Sequence, residues 1–274
     1  LFWPRYTPAA PTAAEAALCE TDWHHYSRDR SKNLFSASSV DQWPSQLVDW
    51  LMYGHQFLLP IPDVDRTDYF LMLGANPVAS NGSLMTAPGI ARRLEALVAR
   101  GRLVVVDPRR TETAAIASEH VFIRPGTDAW FLVALLQALL ALGPPRIEAY
   151  AGKLSGLDEA LRALAAFDTS GVEARTGVPH ARIAAIAADF RAAPTAVAYG
   201  RMGVSVCEFG ALNQWLIQLI NLATGNLDRE GGTMFPQPLL DLVGRGRGLG
   251  FAQQHQAADA GLGGRRRGIG RRTV

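Results

Sequence analysis

The chain has 274 residues, 48% hydrophobic and 19% charged, enough apolar material for a core in one large or two small domains. Its formal charge of +2 is concentrated in a run from Arg245 to Arg272, which leaves the body near neutral and argues against nucleic acid as its principal partner. Cys19 and Cys207 are the only cysteines, so neither a disulfide framework nor a CxxC metal pair can be built. The longest apolar run, 129–142, is too short to span a membrane, and the opening residues lack the order of a signal peptide, so a cytoplasmic protein is expected.

Residues 1–68 hold few periodic segments and several prolines, and are expected to form an irregular covering segment of a larger body. The run 69–73 (YFLML) reads as a buried strand that ends at Gly74. A helical pattern follows with Ile90, Leu94, Leu97 and Val98 on one face, Pro88 in its first turn and Gly101 at its end. Next comes a second buried-type strand, 103–106 (LVVV), so strand, helix and strand make a βαβ unit with a right-handed crossover. The alternation continues with a strand at 120–123, helices at 129–142, 157–167 and 180–192, and a strand at 195–199. A last helix places Leu212, Trp215, Leu216, Leu219, Ile220 and Ala223 on one face and stops at Gly225. Residues 69–243 therefore specify an α/β, doubly wound, mostly parallel sheet. From 244 to 274 the chain is Gly- and Arg-rich with too few apolar residues to offset the cost of ordering, and a disordered tail is expected. That tail reads equally as a binder of RNA or anionic surfaces and as a translated frameshift or cloning remnant.

In an open parallel sheet, ligands bind beyond the carboxyl ends of the strands. Four strands here run into polar motifs: GANP (74–77), DPRRT (107–111), RPGTD (124–128) and GRMG (200–203). Gly74 would let the backbone approach a phosphate, and Asn76 offers an amide. Asp107 and Asp128 are suited to accepting hydrogen bonds from a ribose or a guanine edge, and Arg109 and Arg110 can grip a pyrophosphate. Each has a plainer reading beside it: Asp128 as a helix N-cap, Asp107 in an ordinary turn, the arginines as a solvated pair. The chain has neither GxGxxG after its first strand nor GxxxxGK[ST] anywhere, which disfavours ordinary NAD or ATP chemistry. The histidines are scattered, and Cys207 reads as a packing residue.

Taken in order, LMLGANPVASNGS (71–83), VVVDPRRTETA (104–114), IRPGTD (123–128), YGRMGVS (199–205) and NLATGNLDREGG (221–232) resemble the molybdopterin oxidoreductases of the dimethyl-sulfoxide-reductase superfamily. The resemblance runs from about residue 33 to 243, and residues 34–68 look closest to formate-dehydrogenase-like members. It implies the central domain of such an enzyme, incomplete, with two pterin guanine dinucleotides clasping one molybdenum or tungsten and any iron–sulfur cluster outside this chain. Carried over, Gly74, Ala75, Asn76, Pro77 and Ser80 would line phosphates and ribose, and Asp107, Arg109, Arg110 and Thr111 the guanosine side. Gly126, Thr127 and Asp128 would meet the guanine, while Gly200, Met202 and Gly203 would approach the pterin. Relatives draw a metal ligand from a loop upstream of GANP, where this chain offers Ser36, Ser38, Ser39 and Asp41 as oxygen donors and no cysteine. Val206 and Cys207 stand where many relatives carry Gln. The resemblance further implies a small-molecule substrate and an electron-transfer partner, with the isolated chain inactive. Two rivals stay open: a non-catalytic remnant or carrier of the cofactor, and a nucleotide-binding α/β domain of another enzyme class, such as a thiamine-diphosphate or NAD enzyme.

Overall fold

The computed structural model describes residues 41–85 and 87–235. The expected tail at 244–274 and the candidate ligands Ser36, Ser38 and Ser39 lie outside the described residues. In chain order the elements are helix α1 (Trp43–Tyr53), strands β1 (Ile61–Pro62) and β2 (Tyr69–Leu73), helix α2 (Ile90–Arg100), strand β3 (Arg102–Val106), helix α3 (Glu112–Ile116) and strand β4 (Glu119–Val121). Then come helices α4 (Asp128–Ala141), α5 (Leu157–Ala166), α6 (Val172–Thr176) and α7 (His180–Ala192), strand β5 (Ala196–Gly200), helices α8 (Met202–Ser205) and α9 (Gly210–Ala223), and strand β6 (Thr233–Met234).

Four strands form a parallel sheet in the order β4-β3-β2-β5. Because side chains alternate along a strand, the sheet feeds two cores. Tyr69, Leu71, Leu73, Val104, Val106, Ala196 and Ala198 pack on the side of α4, α7 and α9. Phe70, Met72, Leu103, Val105, Val197 and Tyr199 pack on the side of α2. The central strands are therefore apolar on both faces, which is why they read as continuous hydrophobic runs rather than alternating ones. Helix α4 is buried at Phe131, Leu132, Ala134, Leu135, Leu136 and Leu139 because it is enclosed by α7 and α9 as well as by the sheet core. β1 and β6 form a separate two-stranded antiparallel ribbon. Among the described residues, no helix is long and apolar enough to cross a membrane.

The structure departs from the sequence reading at four places, each for a physical reason. Residues 43–53 form a regular helix against α9, where an irregular segment is expected. Its buried face carries Ser45, Val48 and Asp49, while Trp43, Trp50 and Leu51 are exposed, so no apolar stripe announces it. β4 ends at Val121 instead of Ile123, because its only partner β3 ends at the paired Val106. On α9, Leu212 faces outward and Ile217 inward, with Asn213, Gln214 and Asn221 buried beside the apolar residues. Finally, α3, α6 and α8 are too short for periodicity to reveal.

Candidate functional site at the carboxyl edge of the sheet

The loops after β2, β3, β4 and β5 all leave the same edge, since the four strands are parallel. Strand order reverses between β2 and β5: the chain moves outward through β3 and β4, then returns to β5 on the other side of β2. Such a switch point opens the crevice in which α/β sheets bind ligands. Here the two flanking loops are drawn together. Gly203 N–H donates to Gly74 O at 2.9 Å, and Arg201 N–H donates to Leu73 O at 3.2 Å. A Cβ on Gly74, whose φ is +55°, would lie 2.7 Å from Val204 N, and one on Gly203 would lie 2.7 Å from Gly74 Cα. The glycines thus hold each other's backbones, a use of Gly74 different from the phosphate approach that the sequence suggests.

Asn76 is likewise committed to the protein. Its Oδ1 accepts from Thr113 N–H at 3.2 Å and from Thr113 Oγ1 at 2.8 Å, while Nδ2 donates to Glu112 at 2.7 Å. The amide therefore ties the loop after β2 to the first turn of α3, and its hydrogen bond holds Glu112 below the usual carboxylate range. Thr111 is the N-cap of α3, its buried Oγ1 accepting from Ala114 N–H at 3.1 Å. Ala75 and Pro77 are buried beneath this loop, and exposed Ser80 donates to Asn76 O at 3.2 Å.

The acids form a different group. Asp107 follows β3 directly, is 9% exposed, and accepts from Arg109 N–H at 2.8 Å. Asp128, 7% exposed, opens α4. The N-cap position itself belongs to Thr127, whose hydroxyl donates back to Arg124 O at 2.7 Å, so the plainer reading of Asp128 as the cap does not hold. Burial pushes the Asp128 carboxyl up to about 6; its own backbone N–H pulls the other way, and nearby Asp107 raises it further. Asp128 in turn contributes to the upward shift of the Cys207 thiol, behind burial. Loops from β3, β4 and β5 therefore meet around Asp128. Gly126, at φ +76°, has open space where a side chain would stand, and Arg109 and Arg110 are exposed at the rim. Cys207 packs as expected, with Sγ against Val204 O at 3.3 Å and Asn213 Nδ2 at 3.0 Å.

At the β5 end, Gly200 seats against Ile217 and Val204, and Met202 is exposed. Asp41 stands just before α1, and its Oδ1 is buried without a hydrogen-bond partner. The last motif, 221–232, serves the edge strand. Asn221 accepts from Ala198 N–H at 2.9 Å and donates to Ala198 O at 2.8 Å, and Asn226 accepts from Ala196 N–H at 3.3 Å. Gly231 N–H donates to buried Asp63 at 2.9 Å. Two buried polar residues near the edge escaped sequence reasoning: Asp49 on α1 and Gln214 on α9. The only signal was a polar residue interrupting an apolar helix, a pattern that solvent exposure produces equally well.

The architecture is that of an α/β domain with a parallel sheet and an acidic pair at its carboxyl edge. No family model matches the chain. It is 31% identical to a nitrate reductase of Klebsiella oxytoca over 83% of this chain and 26% of that protein. It is 32% identical to an assimilatory nitrate reductase of Haloferax mediterranei over 60% of this chain and 22% of the relative. It is 26% identical to formate dehydrogenase H of Escherichia coli over 64% and 24%, respectively. Among solved structures, acetylene hydratase from Pelobacter acetylenicus shares the fold with a TM-score of 0.61 and 19% identity, over 78% of this chain and 28% of that one. The chain belongs to the molybdopterin oxidoreductases of the dimethyl-sulfoxide-reductase superfamily. It spans about a quarter of the length of the curated relatives it matches.

Proposed function

We propose that the chain is the central, dinucleotide-binding portion of a molybdenum or tungsten oxidoreductase, and that its carboxyl edge holds the guanine-nucleotide half of a pterin cofactor. The observation that carries this reading is the pair Asp107 and Asp128, two buried acids on adjacent loops, close enough for one to shift the other. Neighbouring acids in a poorly solvated site repel when both ionise, and a ligand that donates hydrogen bonds relieves that repulsion. Guanine presents adjacent N–H donors on one edge, matched to a carboxylate in the manner of a charge-assisted pair. Gly126 leaves room beside Asp128, and Arg109 and Arg110 can face the pyrophosphate from the rim.

The donor set fits the cofactor in a reduced form of the original expectation. Asp107, Asp128, Gly126 and the two arginines would contact the nucleotide, while Gly74, Asn76, Thr111 and Gly203 fix the loops that carry them. Met202, exposed after β5, would face the pterin. Asp41, with one buried oxygen unpartnered, is the candidate metal ligand among the described residues, a hard donor at the entry to α1. When bound, the cofactor supplies two-electron redox chemistry. The chain's own part is to bind and orient it, and in the intact enzyme the electrons would pass to an iron–sulfur cluster outside this chain. Substrate and electron partner belong to that larger assembly. The test is the metal and GMP content of the full natively expressed polypeptide, purified without added cofactor. Stoichiometric release of both is expected, and absence of GMP would overturn the nucleotide assignment.

A further inference from the structure

Helix α1 rests on its neighbours through a polar face. Ser45, Val48 and Asp49 are buried, whereas Trp43, Trp50 and Leu51 are exposed. The helix packs on α9, where Tyr53 donates to Gln218 Oε1 at 3.1 Å, and the Tyr53 ring meets Phe235 edge-on at 4.8 Å. Asp49 is 1% exposed, and neither of its carboxyl oxygens has a hydrogen-bond partner among the described residues. It borders a cavity of about 30 Å3 whose walls include Ser45, Leu59, Gln214 and Ile217. A water needs roughly 10–15 Å3 on this measure, so the space admits about two waters and no larger guest.

An acid in this place is stable only with its proton. Burial is the sole cause of its shift, and pushes Asp49 up to about 8. The groups packed around it do not offset that. Arg201 and Tyr199, from β5 and the loop after it, line the same cavity, and neither is a cause of the shift. Tyr53, one turn along α1, is itself pushed up by burial and by Asp49. From α9 come Gln214, Gln218 and Asn221, and from β6 Thr233, none of which titrates. With its proton, the carboxyl can donate to one water and accept from another. Without it, the group is a buried charge that no cation holds.

We propose that α1 is a proton-sensitive latch, seated on α9 and β5 while the Asp49 carboxyl is protonated and hydrated in the cavity, and lifting from them when that proton is lost. A lifted helix exposes Asp49 to water, where it titrates at its ordinary 3.8, while the seated form keeps the proton up to about 8. Seating is therefore fully favoured below about pH 3.8, weakens steadily as pH rises, and is weakest above about 8. Because Gly200 and Arg201 share the cavity, lifting also opens the start of the loop after β5 to water. The latch operates whatever ligand the carboxyl edge holds. It also accounts for an aspartate on the buried face of α1, where an aliphatic side chain would serve packing better.

Hydrogen exchange read by mass spectrometry on the full natively expressed polypeptide, at about pH 5 and pH 8, compares wild type with Asp49→Asn. Protection factors, which remove the pH dependence of the exchange chemistry, are taken for residues 43–53 and, as reference, for α2. Whole-domain effects, such as the titration of Asp128, move both helices together and cancel in the ratio. In wild type the protection of α1 relative to α2 should fall at least about tenfold from pH 5 to pH 8. In Asp49→Asn, which keeps the shape and cannot ionise, the ratio should stay constant, with α1 better protected than in wild type at pH 8. A smaller fall in wild type, or one that persists in the variant, would overturn the latch and leave Asp49 a hydrated structural acid. Should the Asn variant not fold, Asp49→Leu carries the same expectation and the same refutation.

Discussion

Asp128→Asn should stabilise the cofactor-free protein while weakening its hold on the cofactor, two effects of opposite sign from one atom's change. The folded-state carboxyl titrates at about 6 against an ordinary 3.8, mainly because it is buried. A group whose pKa is raised on folding favours the native state less as pH rises, since the native protein retains a proton that the unfolded chain has lost. The penalty is absent below about pH 3.8, grows through the window up to about 6, and is complete above it. Two units correspond to about 3 kcal/mol at most, and relaxation around a residue that keeps some contact with water reduces this to roughly 1–3 kcal/mol. Asn at the same position carries no such penalty and disturbs no cap, because the N-cap is Thr127. At pH 7.5 the cofactor-free Asn variant should therefore melt several degrees above wild type, at about 2–4 °C per kcal/mol, and at pH 4 the two should nearly coincide. Cofactor binding should move the other way. Losing a charge-assisted pair with guanine N–H groups costs about 1.5–3 kcal/mol, or roughly ten- to 150-fold in affinity. Scanning calorimetry at the two pH values and GMP content after purification read the two arms independently. A variant that melts lower than wild type at pH 7.5 would refute the burial argument, and unchanged GMP content would refute the guanine contact.

Three further substitutions probe how the edge is built. Gly203→Ala would place a methyl 2.7 Å from Gly74 Cα, and backbone on both sides cannot yield; a loss of about 2–4 kcal/mol by chemical denaturation is expected, with reduced cofactor content. Asn76→Ala removes three hydrogen bonds that join the loop after β2 to α3; hydrogen exchange should speed up in residues 76–82 and in α3, with a stability loss of about 1–3 kcal/mol. Asn221→Leu strips the partner from both Ala198 N–H and Ala198 O on edge strand β5. About 2–4 kcal/mol of destabilisation is expected, together with concentration-dependent aggregation by light scattering, because an uncovered strand edge can pair with another chain.

Much of the architecture could be read directly from residue order. Runs such as YFLML (69–73) and LVVV (103–106) are apolar at every position, which only a strand covered on both faces requires, and the Ile90, Leu94, Leu97 spacing marks the crossover between them. Parallel strands put every strand-end motif on one edge, so the location of the candidate site followed from the fold class. Asp107 and Asp128 were visible as acids at strand ends for the same reason.

The tertiary structure decided which protein partners those residues have. Asn76 also bonds Thr113 and Glu112, and Gly74 and Gly203 pack on each other, across sequence separations that no local pattern encodes, while Thr111 caps α3 through the nearby Ala114. Conversely, α1 and its Asp49 were invisible, because a helix whose buried face includes a serine and an aspartate carries no hydrophobic period. Periodicity reports burial against apolar neighbours, and a polar group buried against a cavity or a backbone leaves no such trace. Chain order thus determined the sheet and the edge at which its strand-end loops gather, whereas only packing determined which polar groups hold those loops together and which, like Asp128, are buried without being the helix cap.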